Sequence, residues 1–302
     1  MNMEYTVSII KDIQEARNLW NTLTPDVSMY DNWDFRFLAY NLSPYELYFY
    51  VASSDMQPVA VLPLQFNKEK GYLEFFGGGI MENNQVFCKS GHEEVIPQLY
   101  NAIEKKAKLE YISGFDNYTK SLPFLENKYI LDLTKFKDFE EYFETSFQGK
   151  TKANFRKKLR NIDELQLEII RNQFSDIEKL IELNITNFTQ KGETSSFLFP
   201  FRQDLYRLFP TLQEVTPLLY SFMNSDQKIG IALNFEYNHY FLFLNAGIEN
   251  SRIPNLGTYI YFYLIEEAFK RGAKIFDAGS DSCNWKERFH LTPIPQYIFE
   301  KF

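Results

Sequence analysis

The chain has 302 residues, 45% of them hydrophobic and 18% aromatic, and a formal net charge of -8. That much apolar and aromatic material excludes a disordered acidic chain and suffices for two domain cores, while the acidic total argues against indiscriminate nucleic-acid binding, so any anion recognition must be local. Cys88 and Cys283 are too few for a disulfide framework, the start MNMEYTVSII lacks the layout of a signal peptide, and the densest apolar run, YIYFYLI at 259 to 265, falls far short of the roughly 18 residues of a membrane span. A soluble cytoplasmic protein with no transmembrane segment is expected.

In chain order, YTVSII reads as a strand, and Ile13, Ala16, Trp20 and Leu23 follow at helical spacing. YELYFYVA (45 to 52) and PVAVLPLQF (58 to 66) are strands joined by the turn SSDMQ, and YLEFFGGG is a third strand ending in glycines. A helix-period segment, EEVIPQLYNAIEKKA (93 to 107), leads to the strand LEYISGF. YILDLTKF (129 to 136) leaves this unit, which places a domain boundary near residue 135. FEEYFETSF starts a helical region, followed by the basic stretch TKANFRKKLR, the strand QLEIIR (166 to 171) and a helix from about Asp176 to Gln190. PLLYSFM (217 to 223), the turn NSDQ, KIGIALNFE (228 to 236), the turn YNH and YFLFLNAG (240 to 247) then repeat the earlier meander, and a helix (256 to 272) and the strand AKIFDAG complete it. Order, turn chemistry and following helix agree, so the sequence predicts a duplicated α/β (α+β) unit, residues 1–135 and 136–302. No flexible linker separates the halves.

Two stretches of the second half carry candidate chemistry. The loop IENSRIPN runs straight into a helix at LGTYIYF, so the Asn255 to Thr258 amides lack intrahelical partners and have the positive end of the helix dipole behind them. Gly257 allows close backbone approach to a phosphate and Arg252 adds charge; a plain helix start capped by Asn255 is the alternative. The basic stretch places Phe155, Leu159 and Ile162 on one helical face and Lys152, Arg156 and Arg160 on another. The charged row either lines an anionic acceptor's cleft or is neutralised by Glu140, Glu141 and Glu144 of the preceding helix. No P-loop or dinucleotide fingerprint is present, and His92, His239 and His290 lack metal-ligand spacing. Gly77, Gly78 and Gly79 read as a bend rather than a phosphate loop.

The run NHYFLFLNAGIENSRIPNLGTYIYFYLIEEAFKRGAKIFDAG, followed by WKERF, resembles the C-terminal half of GNAT-fold acyltransferases of the cellulose-biosynthesis-associated type and, more distantly, FemAB-type peptidyltransferases. KTKANFRKKLR is similar to the basic segment K-x-R-x-N-x-R-R-x-L-R that opens the second unit of that family. The likeness covers about residues 140 to 290 and extends to the first half by architecture only. It implies two tandem GNAT-like domains, each a mixed, mostly antiparallel sheet flanked by helices, with one acyl-CoA (acetyl-CoA) site, in the second domain.

Carried over, the pantetheine arm lies along Leu244, Asn245, Ala246 and Gly247, and the pyrophosphate on Asn255, Leu256, Gly257 and Thr258, with Arg252 beside them. The loop keeps one glycine where the family has two, and FDAGSDSCNWK has serine where an arginine is expected. Asp277 and Asp281 are candidate bases, Tyr259 a candidate late proton donor, and Trp285 and Lys286 candidate acceptor contacts beside Lys152, Arg156 and Arg160. Each has a plainer reading: Asp277 bonding local amides, Lys286 solvated, Tyr259 packed in the core. The resemblance implies an N-acyltransferase acting on a small-molecule amine or amino sugar, with no metal and no DNA. A FemAB-like transferase using aminoacyl-tRNA and a non-catalytic binding protein of the same fold are the alternatives.

Overall fold

A computed structural model describes residues 4–43, 45–249, 253–280 and 285–302. The elements in order are β1 (Thr6–Ile10), α1 (Ile13–Leu23), α2 (Trp33–Tyr40), β2 (Tyr45–Ser54), β3 (Gln57–Asn67), β4 (Tyr72–Phe75), β5 (Phe87–Cys88), α3 (Ile96–Asn101), β6 (Ala107–Ser113), β7 (Phe124–Asp132), α4 (Phe139–Ser146), α5 (Gly149–Asp163), β8 (Glu168–Arg171), α6 (Ile177–Gln190), α7 (Pro200–Leu208), β9 (Thr216–Asn224), β10 (Gln227–Tyr237), β11 (Tyr240–Ile248), α8 (Leu256–Lys270), β12 (Ile275–Ser280) and β13 (Thr292–Lys301). The helix expected over 93 to 107 is shorter than its pattern, because its last residues open β6.

The chain forms two compact units: one runs to Lys128 and takes back Pro293–Phe302, the other holds Tyr129–Gly279 and the stretch leading to Thr292. This division differs from the one drawn in the sequence: the change falls before residue 135, and the last strand returns to the first unit. Each unit is a mixed, mostly antiparallel sheet flanked by helices. In the first the strand order is β1-β2-β3-β4-β6-β13, with β5 added on β3; in the second it is β7-β12-β11-β10-β9-β8. A three-strand meander followed by a helix and a strand parallel to the third occurs in both, β4 with β6 and β11 with β12. The hairpin turns are short because positive φ matches the twist of the strands: Asp55 and Met56 take φ of 49° and 61°, and Ser225 takes 52°. Both turns end on glutamine, Gln57 or Gln227.

In the first unit the segment after β4 is filled. Gly77 and Gly78 bend the chain at φ of 93° and 73°, the bend expected there. The buried Arg36 guanidinium donates to the carbonyls of Tyr30, Phe76 (2.8 Å) and Asn83 (2.9 Å) and to Asn84 Oδ1 (2.9 Å). Burial lowers its pKa to about 10. Asn84 bridges to Ile112 of β6, so polypeptide occupies the space after β4.

The second unit buries an aromatic core around α8, with Phe143, Phe147, Phe155, Tyr261, Phe262, Phe276 and Phe289 packed together. Asp138 caps α4 by accepting from the Glu141 amide (2.9 Å). On α5 the expected stripe is seen, with Phe155 and Ile162 buried and Leu159 packed on the core.

Candidate functional site

The site begins with a parting of strands in the second unit. β11 pairs with β10 along its length to Ile248, but with β12 only from Tyr240–Ile275 to Leu242–Asp277. The register with β10 slips where Leu233 faces Asn245 and Asn234 faces Phe243, which leaves Leu244 as a bulge. A bulge bends its strand, and this one lies where β11 leaves β12. The edge of Leu244 to Gly247 is thereby without a strand partner among the described residues.

Helix α6 holds the parted strand from one face. Asn184 Nδ2 donates to Asn245 Oδ1 (3.0 Å), Ser195 Oγ donates to Asn184 Oδ1 (2.8 Å), and Asn245 Nδ2 donates to the Tyr206 hydroxyl (3.3 Å). Asn187 Nδ2 donates to the Ile248 carbonyl (2.7 Å). Gly247 lets the helix come this close, since a Cβ there would lie 2.6 Å from the Leu180 carbonyl oxygen.

At the far end of the parting α8 begins. Asn255 is in the left-handed region at φ 68° and makes no side-chain cap. Its carbonyl accepts from the Tyr259 amide (3.1 Å) and Leu256 N–H donates to Ile253 (3.3 Å), while the Gly257 and Thr258 amides bond no acceptor among the described residues. The side-chain cap by Asn255 that stood as the alternative is therefore not made, and the Gly257 and Thr258 amides stay available among the described residues. Arg252 and Asp281 lie outside the described residues.

Between these parts is a cavity of about 430 Å³. Its walls come from α5 (Phe155, Lys158), α6 (Asn184, Asn187, Phe188, Lys191), β11 (Phe243, Ala246, Ile248), the start of α8 (Gly257, Thr258, Ile260, Tyr261) and Trp285, Arg288 and Phe289. No carboxylate or imidazole is among these lining residues. Three cations are, and among the described residues no acid pairs with Lys158, Lys191 or Arg288, in a chain of net charge -8.

Several expected site residues meet here: Ala246, Gly257, Thr258 and Trp285 line the cavity. Leu244, Asn245 and Gly247 lie along the parted edge, Asn245 and Gly247 turned to α6, and Leu256 is buried beneath it. Others are elsewhere. Asp277 is fully buried; its Oδ1 accepts from the Gly279 amide (2.8 Å) and its Oδ2 from the Tyr240 hydroxyl, the plainer of its two readings. Lys286 is buried and donates to the Gly279 carbonyl (3.1 Å), with its ammonium over the Tyr129 ring. Tyr259 packs beside Phe222 and faces Asp163, and burial, with that carboxylate, raises its pKa to about 12.

The basic row divides in the same way. Lys152 pairs with Glu144, and Arg156 with Glu144 and with Glu140 at 3.0 Å. Arg160 is exposed and lines no part of the cavity. The basic residue of that stretch at the cavity is Lys158, which the sequence reading missed. Its spacing of three from Phe155 put it near the apolar face, and that signal was present. Asn184, Asn187, Phe188 and Lys191 were also missed; they fall at i, i+3, i+4 and i+7 on one face of α6. Tyr261 was passed over for Tyr259. Its ring lines the cavity, its buried hydroxyl has no hydrogen-bond partner among the described residues, and burial raises its pKa far above that of free tyrosine. Of the histidines, His92 meets Tyr5, His239 bonds the Gly272 carbonyl, and His290 packs on Phe147.

Residues 149–287 match the family model described as acetyltransferase (GNAT) domain. No curated protein matches the sequence. Among solved structures, FemX is similar with a TM-score of 0.63 at 11% identity, covering 99% of this chain and 97% of that one. L-PGS from Bacillus licheniformis has a TM-score of 0.58 at 11% identity, covering 95% and 91%. A tandem GNAT protein from the clavulanic acid biosynthesis pathway has 0.58 at 8% identity, covering 98% of each chain. At such identities the likeness is one of fold. Residues 149–287, which hold the parted strands, thus match the acetyltransferase (GNAT) domain model, and the chain as a whole is similar in fold to FemX and a tandem GNAT protein.

Proposed function

We propose that the chain is an N-acyltransferase that takes its acyl group from acyl-CoA, bound in the second unit, and passes it to an amine of a small molecule or amino sugar in the cytoplasm. The carrying observation is the parting of β11 from β12 beside a helix start whose Gly257 and Thr258 amides are unbonded among the described residues. The pantetheine amides would complete the edge of Leu244 to Gly247 as a strand would. The pyrophosphate would rest on the Gly257 and Thr258 amides, where the helix dipole favours negative charge, with Lys158, Lys191 and Arg288 near. In the first unit Arg36 and Asn84 fill the space after β4, which supports one donor per chain.

The amine nitrogen bonds the acyl carbon, the C–S bond breaks and the thiolate of CoA leaves. The described lining offers no base, so the rate would come mainly from holding donor and acceptor together, and Asp281 stays the proposed acceptor of the amine proton on sequence grounds. Asp277 is assigned instead to fixing the end of β12. The tRNA-dependent alternative drew on Lys152, Arg156 and Arg160, and the first two already face Glu140 and Glu144.

Calorimetric titration with CoA and acetyl-CoA tests the donor site. Binding that weakens with salt and is lost in folded Gly257→Val is expected, followed by thiol release when amines are supplied. Equal binding by that variant would remove the phosphate assignment, and no binding by the unaltered chain would remove the donor reading.

A further inference from the structure

We infer that the acyl group accepted in this cavity is an apolar chain longer than acetyl. The inference rests on the donor reading above and names the substrate class of that site. Once the parted edge and the helix start are assigned to the donor's amides and phosphates, the remaining apolar wall is mostly ring: Phe155, Phe188, Phe243, Tyr261, Trp285 and Phe289. These come from α5, α6, β11, α8 and the segment before β13, so five separate parts of the unit contribute rings to one space.

The wall is also preformed. Tyr261 meets Phe289 at 4.4 Å and Trp285 at 4.7 Å, and Phe155 stacks on Phe289 at 5.8 Å between centroids. Rings packed against each other in this way keep the space open rather than closing over it. An acetyl group would bring one methyl to that wall and leave much of its aromatic surface facing water. The charges do not oppose an apolar chain. Lys191 and Arg288 are exposed and Lys158 is half-buried beside Phe155, which suits the anionic part of the donor. No acid is among the described lining residues; Glu287, in the segment of Trp285 and Phe289, accepts from the Tyr129 hydroxyl instead.

The experiment is calorimetric titration of the full chain, without acceptor, with CoA and with acetyl-, butyryl-, hexanoyl- and octanoyl-CoA. Affinity should rise by up to about fourfold for each added methylene until the space is filled. In Phe188→Asn, which makes a half-buried part of the wall polar, the rise should flatten. If CoA and acetyl-CoA bind but affinity is level or falls with chain length, the inference is overturned and the donor reading stands. If neither CoA nor any thioester binds, both fall. An undiminished rise in folded Phe188→Asn would put the chain outside this cavity and overturn the inference.

Discussion

Replacing Gly247 by alanine tests whether the contact between α6 and the parted strand holds the site in shape. The new Cβ would lie 2.6 Å from the Leu180 carbonyl oxygen, 2.8 Å from Leu183 Cβ and 3.2 Å from Leu180 Cα. Two of these atoms are backbone, so no side-chain rotation relieves the clash. If α6 stays in place the strain costs about 1–3 kcal/mol. If it retreats far enough to restore ordinary contact, about 0.8 Å, the Asn187–Ile248 and Asn184–Asn245 bonds, now 2.7 and 3.0 Å, stretch to about the limit of hydrogen bonding or beyond. Losing two such bonds costs about 1 kcal/mol each. Either route gives about 2 kcal/mol, or about 4–8 °C in the melting midpoint for a unit of this size. Two controls make the result specific. A Cβ at Gly79 meets nothing within 4 Å, and one at Gly230 meets chiefly the end of the Ile260 side chain, at 2.6 Å. Thermal melts followed by circular dichroism should therefore rank Gly247→Ala as most destabilised, Gly230→Ala next and Gly79→Ala near the parent. A Gly247→Ala protein that melts with the parent would refute the argument. If it is merely destabilised yet folded, its affinity for acyl-CoA should also be lowered, because α6 and its C-cap residue Lys191 carry four residues of the cavity wall.

Tyr261→Phe removes a buried hydroxyl with no partner among the described residues and should raise stability by about 1 kcal/mol in a denaturant or thermal titration; lost turnover at undiminished stability would instead show that the substrate supplies the partner. Changing Lys152 and Arg156 together to glutamine breaks exposed ion pairs with Glu140 and Glu144 and should cost no more than about 1 kcal/mol, so a loss of acyl transfer by the folded variant would return the row to the site. Burial raises the Cys88 thiol to about 12 from 9.0, so in a Cys283→Ser background Cys88 should alkylate far more slowly than a free thiol at mildly alkaline pH. The sign for stability follows: the unfolded thiol ionises first, so this contribution is intact below pH 9 and lost between 9 and about 12. Labelling at the rate of free cysteine would contradict that environment.

The order of the meanders, the polar turns and the helices that follow them were legible in the sequence, because strand alternation, turn residues and helical spacing are properties of short stretches. The same locality made the start of α8 readable as a place with unbonded amides, and Phe155, Leu159 and Ile162 readable as the anchored face of α5. What a sequence position faces is a different matter. Asp277 and Lys286 stand in a suggestive run with Trp285, yet only Trp285 reaches the cavity, while Asp277 turns to Tyr240 and Lys286 to Gly279. Within the basic stretch of α5, Lys152 and Arg156 turn to the acids of α4 and Lys158 to the cavity. Tyr259 and Tyr261 sit two positions apart on one helix, and two residues turn a helix by about 200°. By itself the sequence determined the strands of the two meanders, their repetition, and that α8 starts straight after a loop, since each depends on neighbours along the chain. Only the tertiary structure decided that the last strand closes the first unit, that Arg36 fills the space after β4, and that α5, α6, β11 and α8 enclose one cavity, because those depend on residues far apart in the chain being brought together by burial of their apolar faces.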